Sequence, residues 1–367
     1  MLSISELLRQ CWRALEGVLF NLPDTRYLNI TILALPLVGC GGGGDMVSTV
    51  PNTPAAFTLN TTVVIPASTY QANSPELGGW TQLQQARVQC GFGAQKQNTQ
   101  LDAASLAHAK YLVTLSLAQS TSLLSHTETV TNNAWFTGYN PWDRSLFQGY
   151  GFQVAEILAS TSWNYDVSNP PALPGLVQRG SDSMRSLLNT VYHLIGAMYD
   201  GPDVGFGAFV QTASFGTNRR EEYRFGSLNG YQYDAKRIKL GTGNLVTYPC
   251  QGSSNIPTGF VPANESPNPF PDMTSTSQTV GPPIYLKVDS GQTLTLTSRS
   301  ILKEGIPVST RVLTRNTDPQ YPKEIGSNEV FVVPANPLDS YSTYQINLGG
   351  TIDGKPFSRS FTMSTGA

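Results

Sequence analysis

The sequence predicts an α+β protein, and three observations support this class. Apolar residues recur with the 3.6-residue period of helices between about residues 80 and 198. Short strand-like stretches follow up to Tyr248, which is the order typical of an α+β sandwich. From Pro283 onward, short strands alternate with turn signals, as in an immunoglobulin-like sandwich. The length of 367 residues is in keeping with two domains.

The predicted elements divide the chain into parts. A helix through Trp80 is expected to end at Gly91 or Gly93, where glycine favours a helix stop. Two further helices are predicted over residues 101–124 and 181–198, with an irregular segment at 126–180 between them. Strands are expected at 204–210 and 245–248, and six more at 284–288, 293–297, 308–313, 330–333, 343–348 and 357–363. The resulting domains are 76–250 and 283–367, joined by a Pro/Asn/Ser-rich connector at 251–282.

Residues 1–39 have the parts of an export signal. Arg26 precedes an apolar run over residues 27–39, which is shorter than the roughly 20 residues that a spanning helix needs. The run ends in Leu-Val-Gly-Cys at Cys40, which resembles the bacterial lipobox, whose cysteine is lipidated and becomes the new N-terminus. We therefore expect an exported protein anchored to a membrane by a lipid on Cys40, on the periplasmic side or in the outer membrane. A buried strand ending in a glycine loop is the alternative.

Two neighbouring segments complete this part of the chain. Residues 1–26 include Glu6, Glu16 and Asp24, which is unusual for the basic start of a signal. We interpret them as the product of a wrongly assigned upstream start, with an amphipathic helix as the alternative. Residues 40–75 have four glycines directly after Cys40 and are rich in Thr, Pro and Asn, so they are expected to form the lipidated tether.

The cysteine content predicts a disulfide, and the charge content limits the classes of partner. Once residues 1–39 are removed and Cys40 is lipidated, Cys90 and Cys250 are the cysteines that remain. An even pair in an exported protein favours a disulfide, although two buried thiols are the alternative. The net charge of −2, without any Lys/Arg-rich run, gives no reason to expect a nucleic-acid partner.

Three histidines, His108, His126 and His193, are the candidates for site chemistry. Two neutral imidazoles can hold a divalent ion such as Zn²⁺, and nearby carboxylates can orient them or activate a water. We expect His126 and His193 to share a polar cleft, either as a zinc site or as a hydrogen-bonded structural cluster. We expect His108 to be a packed helix residue, and Asp143-Arg144 to form a structural ion pair or a loop clamp.

Several ordered motifs over about residues 77–250 resemble the CAP superfamily, which comprises cysteine-rich secretory proteins, antigen 5 and pathogenesis-related proteins. The motifs are LAHAKY at 106–111, SHTE at 125–128, FTG at 136–138, YH at 192–193 and DVGFG at 203–207. Arg87 also matches an early arginine of that family. Residues 264–269 (NESPNP) resemble the segment that follows the domain in some bacterial members. The resemblance implies a CAP-like α-β-α sandwich in a bacterial lipoprotein.

The resemblance also implies a cleft with two histidines and two acids. His126 and His193 match the histidines, and Glu156 matches the first acid, although Ala155 and Ile157 replace the glycine and asparagine that flank it. No glutamate precedes His193 at the expected place, where Asp182 is the nearest acid. Glu128 is a further candidate for the cleft, or a partner of His126.

Two functions follow from these expectations. The first is a binding protein of the cell envelope, whose cleft takes a small ligand, a lipid or a protein. The second is a metal-assisted hydrolase of peptide or envelope polymer, with Glu156 as the general base. The incomplete acidic set favours binding over catalysis.

Overall fold

The computed structural model describes residues 64–367. The predictions for the export signal, the lipidated Cys40 and most of the tether lie outside the described residues. Helices and sheets both occur in the described part, so the predicted α+β class is confirmed. No helix among residues 64–367 is long and apolar enough to cross a membrane.

The first sheet has the strand order β1-β3-β4-β2. Its strands are β1 (Lys96–Gln97), β2 (Phe152–Asp166), β3 (Asp203–Phe215) and β4 (Asn218–Gln232). β3 and β4 form a long hairpin, and β2 pairs antiparallel with β4 along its whole length. The short β1 runs parallel to the start of β3.

Five helices accompany this sheet: α1 (Pro75–Gln89), α2 (Thr99–Gln119), α3 (Pro141–Phe147), α4 (Leu176–Leu187) and α5 (Val191–Ala197). α2 lies so close to β3 that a Cβ at Gly205 or Gly207 would overlap the α2 backbone. Phe206, between these glycines, packs instead beside Gly79 of α1. Alternate strand residues face opposite sides of a sheet, so α1 and α2 cover opposite faces. The result is three layers, with the sheet in the middle.

The helix starts follow the usual chemistry. Pro75 is the first residue of α1, and the Ser74 hydroxyl accepts a hydrogen bond from Leu77 N–H at 3.2 Å. Asn98 caps α2 by accepting from the first N–H groups of that helix. α1 ends before Gly91, whose φ of +82° favours glycine. The predicted stop at Gly91 is therefore confirmed.

The single helix predicted over 181–198 is wrong, since two helices, α4 and α5, occupy this region. Between them, Thr190 is extended, and the Asn189 side chain donates to the Gly259 carbonyl at 2.8 Å. A carboxylate from outside the region, that of Glu265, accepts hydrogen bonds from the first N–H groups of α5. These contacts interrupt a helix that periodicity alone would continue.

The segment 126–180 was expected to be irregular, but residues 152–166 of it form the long strand β2. The strand β4 was not predicted at all. Glu222 and Arg224 explain the failure in β4, because both side chains are buried and charged. They form an ion pair at 2.8 Å, and Arg224 also donates to the Leu123 carbonyl. Paired charges inside the protein conceal the alternation of apolar and polar residues that marks a strand.

Two further sheets follow, with orders β10-β11-β7-β5 and β6-β13-β12-β8-β9. Their strands are β5 (Val246–Tyr248), β6 (Ser253–Ile256), β7 (Ile284–Lys287), β8 (Leu294–Lys303), β9 (Ile306–Pro307), β10 (Thr310–Thr314), β11 (Glu329–Pro334), β12 (Thr343–Ile352) and β13 (Lys355–Thr365). All six strands predicted after Pro283 are present. One buried apolar cluster joins Leu286 and Val332 of the first of these sheets to Ile346 and Phe361 of the second.

Two strands that come before Pro283 in sequence belong to these later sheets. β5 pairs antiparallel with β7, and β6 pairs in parallel with β13. The predicted disulfide between Cys90 and Cys250 is confirmed, with a Cα–Cα distance of 5.4 Å. It ties the end of α1 to the segment between β5 and β6.

Two buried cations, one from α1 and one from the later strand β7, meet at the C-terminal end of α5. Arg87 is wholly buried and donates to the carbonyls of Ala197 and Tyr199, at 2.8 and 2.9 Å. Lys287 of β7 donates to the carbonyl of Met198 at 2.9 Å. Cations at the C-terminal end of a helix satisfy its free carbonyls and favour its dipole, so α5 is held firmly.

Candidate functional site

Glu156 of β2 is at the centre of the candidate site. Its side chain is buried, with Oε2 2.9 Å from His126 Nδ1 and Oε1 accepting from the Arg144 guanidinium at 2.6 Å. Burial alone would raise the pKa of Glu156, but Arg144, followed by His108 and His126, holds it at about 2. The carboxylate is therefore ionised, and both of its oxygens are engaged.

Arg144 fixes the loop that carries His126. The wholly buried guanidinium donates to the carbonyls of His126 and Tyr139 at 3.0 and 3.3 Å, besides its contact with Glu156. Asp143 does not pair with it, because the Asp143 carboxylate accepts from Asn140 N–H at 3.0 Å and caps α3. Of the two roles predicted for Asp143-Arg144, the structure shows the loop clamp and not the ion pair.

Glu128 pairs with His108 rather than with His126. His108 is wholly buried on α2, where Nδ1 lies 2.8 Å from Glu128 Oε1 and Nε2 donates to the Ser125 carbonyl at 2.8 Å. Glu128 is itself buried and also accepts from Thr137 N–H at 2.9 Å. Through the contact with Ser125, this buried pair holds the loop that carries His126. His108 is therefore a packed helix residue, as expected.

His193 lies in the first turns of α5 and has a different carboxylate partner. Glu265 accepts hydrogen bonds from the N–H groups of Val191, Tyr192 and His193, at 2.9, 2.6 and 3.1 Å. Its Oε1 is also 3.2 Å from His193 Nδ1, and the Thr190 hydroxyl lies 2.9 Å from the same nitrogen. The imidazole is thus held through Nδ1, which leaves Nε2 available.

His126, Glu156 and His193 line one cavity of about 430 Å³. This volume lies within the usual range of small-molecule sites. The remaining wall is mostly apolar and aromatic, and its residues are Pro141, Trp142, Val154, Ala155, Ile157, Tyr192, Ile195, Gly196, Tyr199, Ser266, Pro267 and Glu324. We call this cavity the central cleft. The structure therefore brings together the two histidines and the glutamate that the sequence singled out.

Asp182 does not join them. It lines a second cavity of about 660 Å³, which also reaches His193 but includes neither His126 nor Glu156. The Asp182 carboxylate is half-exposed and 2.9 Å from Arg185. Asp182 is therefore not the second acid of the central cleft.

Sequence reasoning missed two acids near the cleft, Glu265 and Glu324. Glu265 follows a 3₁₀ turn at Pro262–Asn264, and Glu324 precedes β11. Burial, together with the nearby Asp318, raises the pKa of Glu324. The NESPNP motif was a signal for Glu265, whereas no sequence pattern marks Glu324.

The residues of the cleft do not fit a zinc site. Among residues 64–367, no group of three or more His, Cys, Asp or Glu side chains is arranged to hold a metal ion. Arg144 and His126 already engage the two oxygens of Glu156, so this carboxylate is not free to join the two imidazoles around an ion. A zinc site needs at least three protein ligands, and two imidazoles alone do not supply them.

No family model matches the chain, and no curated protein matches it significantly.

Proposed function

We propose that this chain is an exported cell-envelope protein, anchored by a lipid on Cys40, whose CAP-like domain binds a small ligand or lipid in the central cleft. The observation that carries the proposal is that His126, Glu156 and His193 line the same largely apolar cavity. A cavity with apolar walls and a few convergent polar groups is the usual form of a ligand site.

The architecture supports the CAP-like part of the proposal. Helices α1 and α2 cover opposite faces of the first sheet, as the α-β-α sandwich of that family requires. The family pattern expects an acid before His193, and the sequence has no glutamate at that place. Glu265 instead provides a carboxylate beside His193. The two later sheets enclose one apolar core, and this packing supports an immunoglobulin-like assignment for them.

Hydrolysis is the weaker alternative. A general base works best when its pKa is near the working pH, and the pKa of Glu156 is about 2. Its two oxygens are also committed to Arg144 and His126. A strongly stabilised carboxylate of this kind orients an imidazole better than it removes a proton.

The ligand class follows from the walls of the cleft. Ile195 and Trp142 supply apolar surface, whereas the imidazoles of His126 and His193 can contact a polar head group. We therefore expect a small amphiphile, such as a fatty acid or a lipid with a short chain.

A thermal-shift screen tests this proposal. The processed chain, residues 40–367, is heated with a series of fatty acids, with a bacterial total-lipid extract and with Zn²⁺. We expect a saturable rise in Tm with an amphiphile that His126→Ala and His193→Ala both reduce and that Asp182→Asn keeps. A Tm that responds to Zn²⁺ and to no amphiphile would instead favour the metal-assisted alternative.

A further inference from the structure

Five large exposed apolar side chains come from neighbouring segments beside the central cleft, which one of them, Trp142, lines. They are Trp142, Leu146 and Phe147 of α3, Phe152 at the start of β2, and Tyr233 after β4, with half or more of each side chain exposed. We call this group the aromatic patch. Contiguous exposed apolar surface of this kind marks an interaction site on a soluble protein.

One ring contact and the chain geometry place members of the patch near one another. The Phe152 and Tyr233 rings meet edge to face at 5.3 Å between centroids. Leu146 packs beside Gly151, and it lies one helical turn from Trp142 on α3. Phe152 itself has φ of +129°, a conformation that a bulky residue rarely adopts. The backbone thus turns the Phe152 ring outward at a conformational cost.

The tether that leads to Cys40 joins the fold at the same end of the first sheet as Phe152, although β1 and β2 are the outer strands on opposite sides of that sheet. Thr69 N–H donates to Gln97 of β1 at 2.7 Å, and β1 pairs with the start of β3 at Asp203. The Asp203 carboxylate accepts from Tyr150, two residues before Phe152, at 3.0 Å. Residues 40–64 cannot span more than about 85 Å, so a lipid on Cys40 would keep the protein close enough to a bilayer for an exposed patch to reach its surface.

We propose that the aromatic patch rests on the surface of a phospholipid bilayer and orients the mouth of the central cleft toward it. This inference rests on the lipid anchor in the proposed function. Trp and Tyr side chains favour the membrane interface, where an apolar ring meets polar head groups.

The charges around the patch favour a bilayer over a second copy of the chain. The loop after Tyr233 carries two exposed lysines, Lys236 and Lys239, and one exposed acid, Asp234. Lys96 of β1 is exposed at the same end of the first sheet. Lysines attract phospholipid phosphates, whereas two copies that met through this patch would bring like charges together.

Vesicle flotation tests the inference without the lipid anchor. The probe is vesicles of phosphatidylcholine with a minor fraction of phosphatidylglycerol. The protein is the chain from residue 40 with Cys40→Ser, which includes every described residue. We expect measurable binding that falls about tenfold or more in Leu146→Ser/Phe147→Ser, and again in Phe152→Ser/Tyr233→Ser.

A matched control separates this patch from general stickiness. Ile306→Ser/Tyr341→Ser removes two side chains that are 69% and 79% exposed and lie outside the patch. It should bind vesicles like the unsubstituted chain, and circular dichroism should find all variants folded. No binding by the unsubstituted chain, or an equal loss in the control, would overturn the inference. So would sedimentation that finds a dimer which only the patch substitutions dissociate. Lipid labelling of Cys40 and ligand binding in the cleft are measured separately, so they can succeed when this test fails.

Discussion

Glu265 Oε1 lies 3.2 Å from Nδ1 of His193, although 72 residues separate the two in sequence. The same carboxylate accepts from three N–H groups at the start of α5. A segment whose composition predicts a connector thus fixes one of the two cleft histidines. The cleft therefore depends on residues that follow the predicted first domain.

Replacing Glu265 should destabilise the protein and change the setting of His193. Glu265→Ala leaves three N–H groups and an imidazole without their acceptor, so we expect a loss of about 3 kcal/mol or more in urea unfolding. The imidazole NMR signals of His193 should move. Those of His108, which is paired with Glu128 and has no contact with Glu265, should stay in place. Asp182→Ala, at a half-exposed residue, should stay within about 0.5 kcal/mol of the unsubstituted chain. Unchanged stability of Glu265→Ala would contradict this role.

Glu156 should make the protein sensitive to acid. Its pKa of about 2 in the fold is below the ordinary 4.5, so the folded state favours the ionised form. The resulting stability, on the order of 3 kcal/mol, is fully present above pH 4.5 and is lost as the pH falls toward 2. Unfolding free energy measured across this range should fall less steeply in Glu156→Gln. Glu304→Gln, which removes an exposed carboxylate, serves as the control. Equal slopes for Glu156→Gln and the unsubstituted chain would refute the assignment.

The disulfide between Cys90 and Cys250 should stabilise the fold strongly, because it closes a loop with a sequence separation of 160 residues. The chain-entropy model gives about 4–5 kcal/mol for such a loop. Cys90→Ser/Cys250→Ser should lose an amount of this order in denaturant unfolding. Mass spectrometry of unreduced digests should find the two peptides linked, and free alkylation of both thiols would count against the bond.

Lipidation is expected at Cys40, which lies outside the described residues. Cys40→Ser should abolish labelling by a radioactive or clickable fatty acid and leave an unprocessed precursor. Cys11→Ser, in the segment that processing removes, is the matched substitution and should label normally. Continued labelling of Cys40→Ser would remove the basis for the anchor.

Local sequence patterns predict the helices and strands in which the buried residues are apolar and the ends are marked by turn residues. α1 ends at Gly91 as expected, and the strands after Pro283 lie where turn residues separate apolar stretches. β4 escaped prediction because Glu222 and Arg224 neutralise each other inside the protein. The division of 181–198 into α4 and α5 depends on Glu265, which no local pattern can contribute.

The site was predictable only in part, for a similar reason. The scarcity of histidine and the family-like motifs singled out His126, Glu156 and His193, and these residues do share a cavity. The choice between Glu128 and Glu156 as the partner of His126 depends on side-chain directions, since Glu128 points into the buried pair with His108. Sequence distance favours Asp182 as the acid near His193, yet the carboxylate that contacts His193 belongs to Glu265, 72 positions beyond it.

The most direct test of the cleft is an NMR titration of the three imidazoles, since each histidine has a distinct place in the fold. His126 and His193 line the cleft, whereas both ring nitrogens of His108 are occupied by Glu128 and the Ser125 carbonyl. Palmitate, or the best amphiphile of the thermal-shift screen, is added to the processed chain. We predict that the signals of His126 and His193 shift together with one Kd while those of His108 stay in place. Shifts at only one of the two cleft histidines, or at neither, would contradict a shared ligand site.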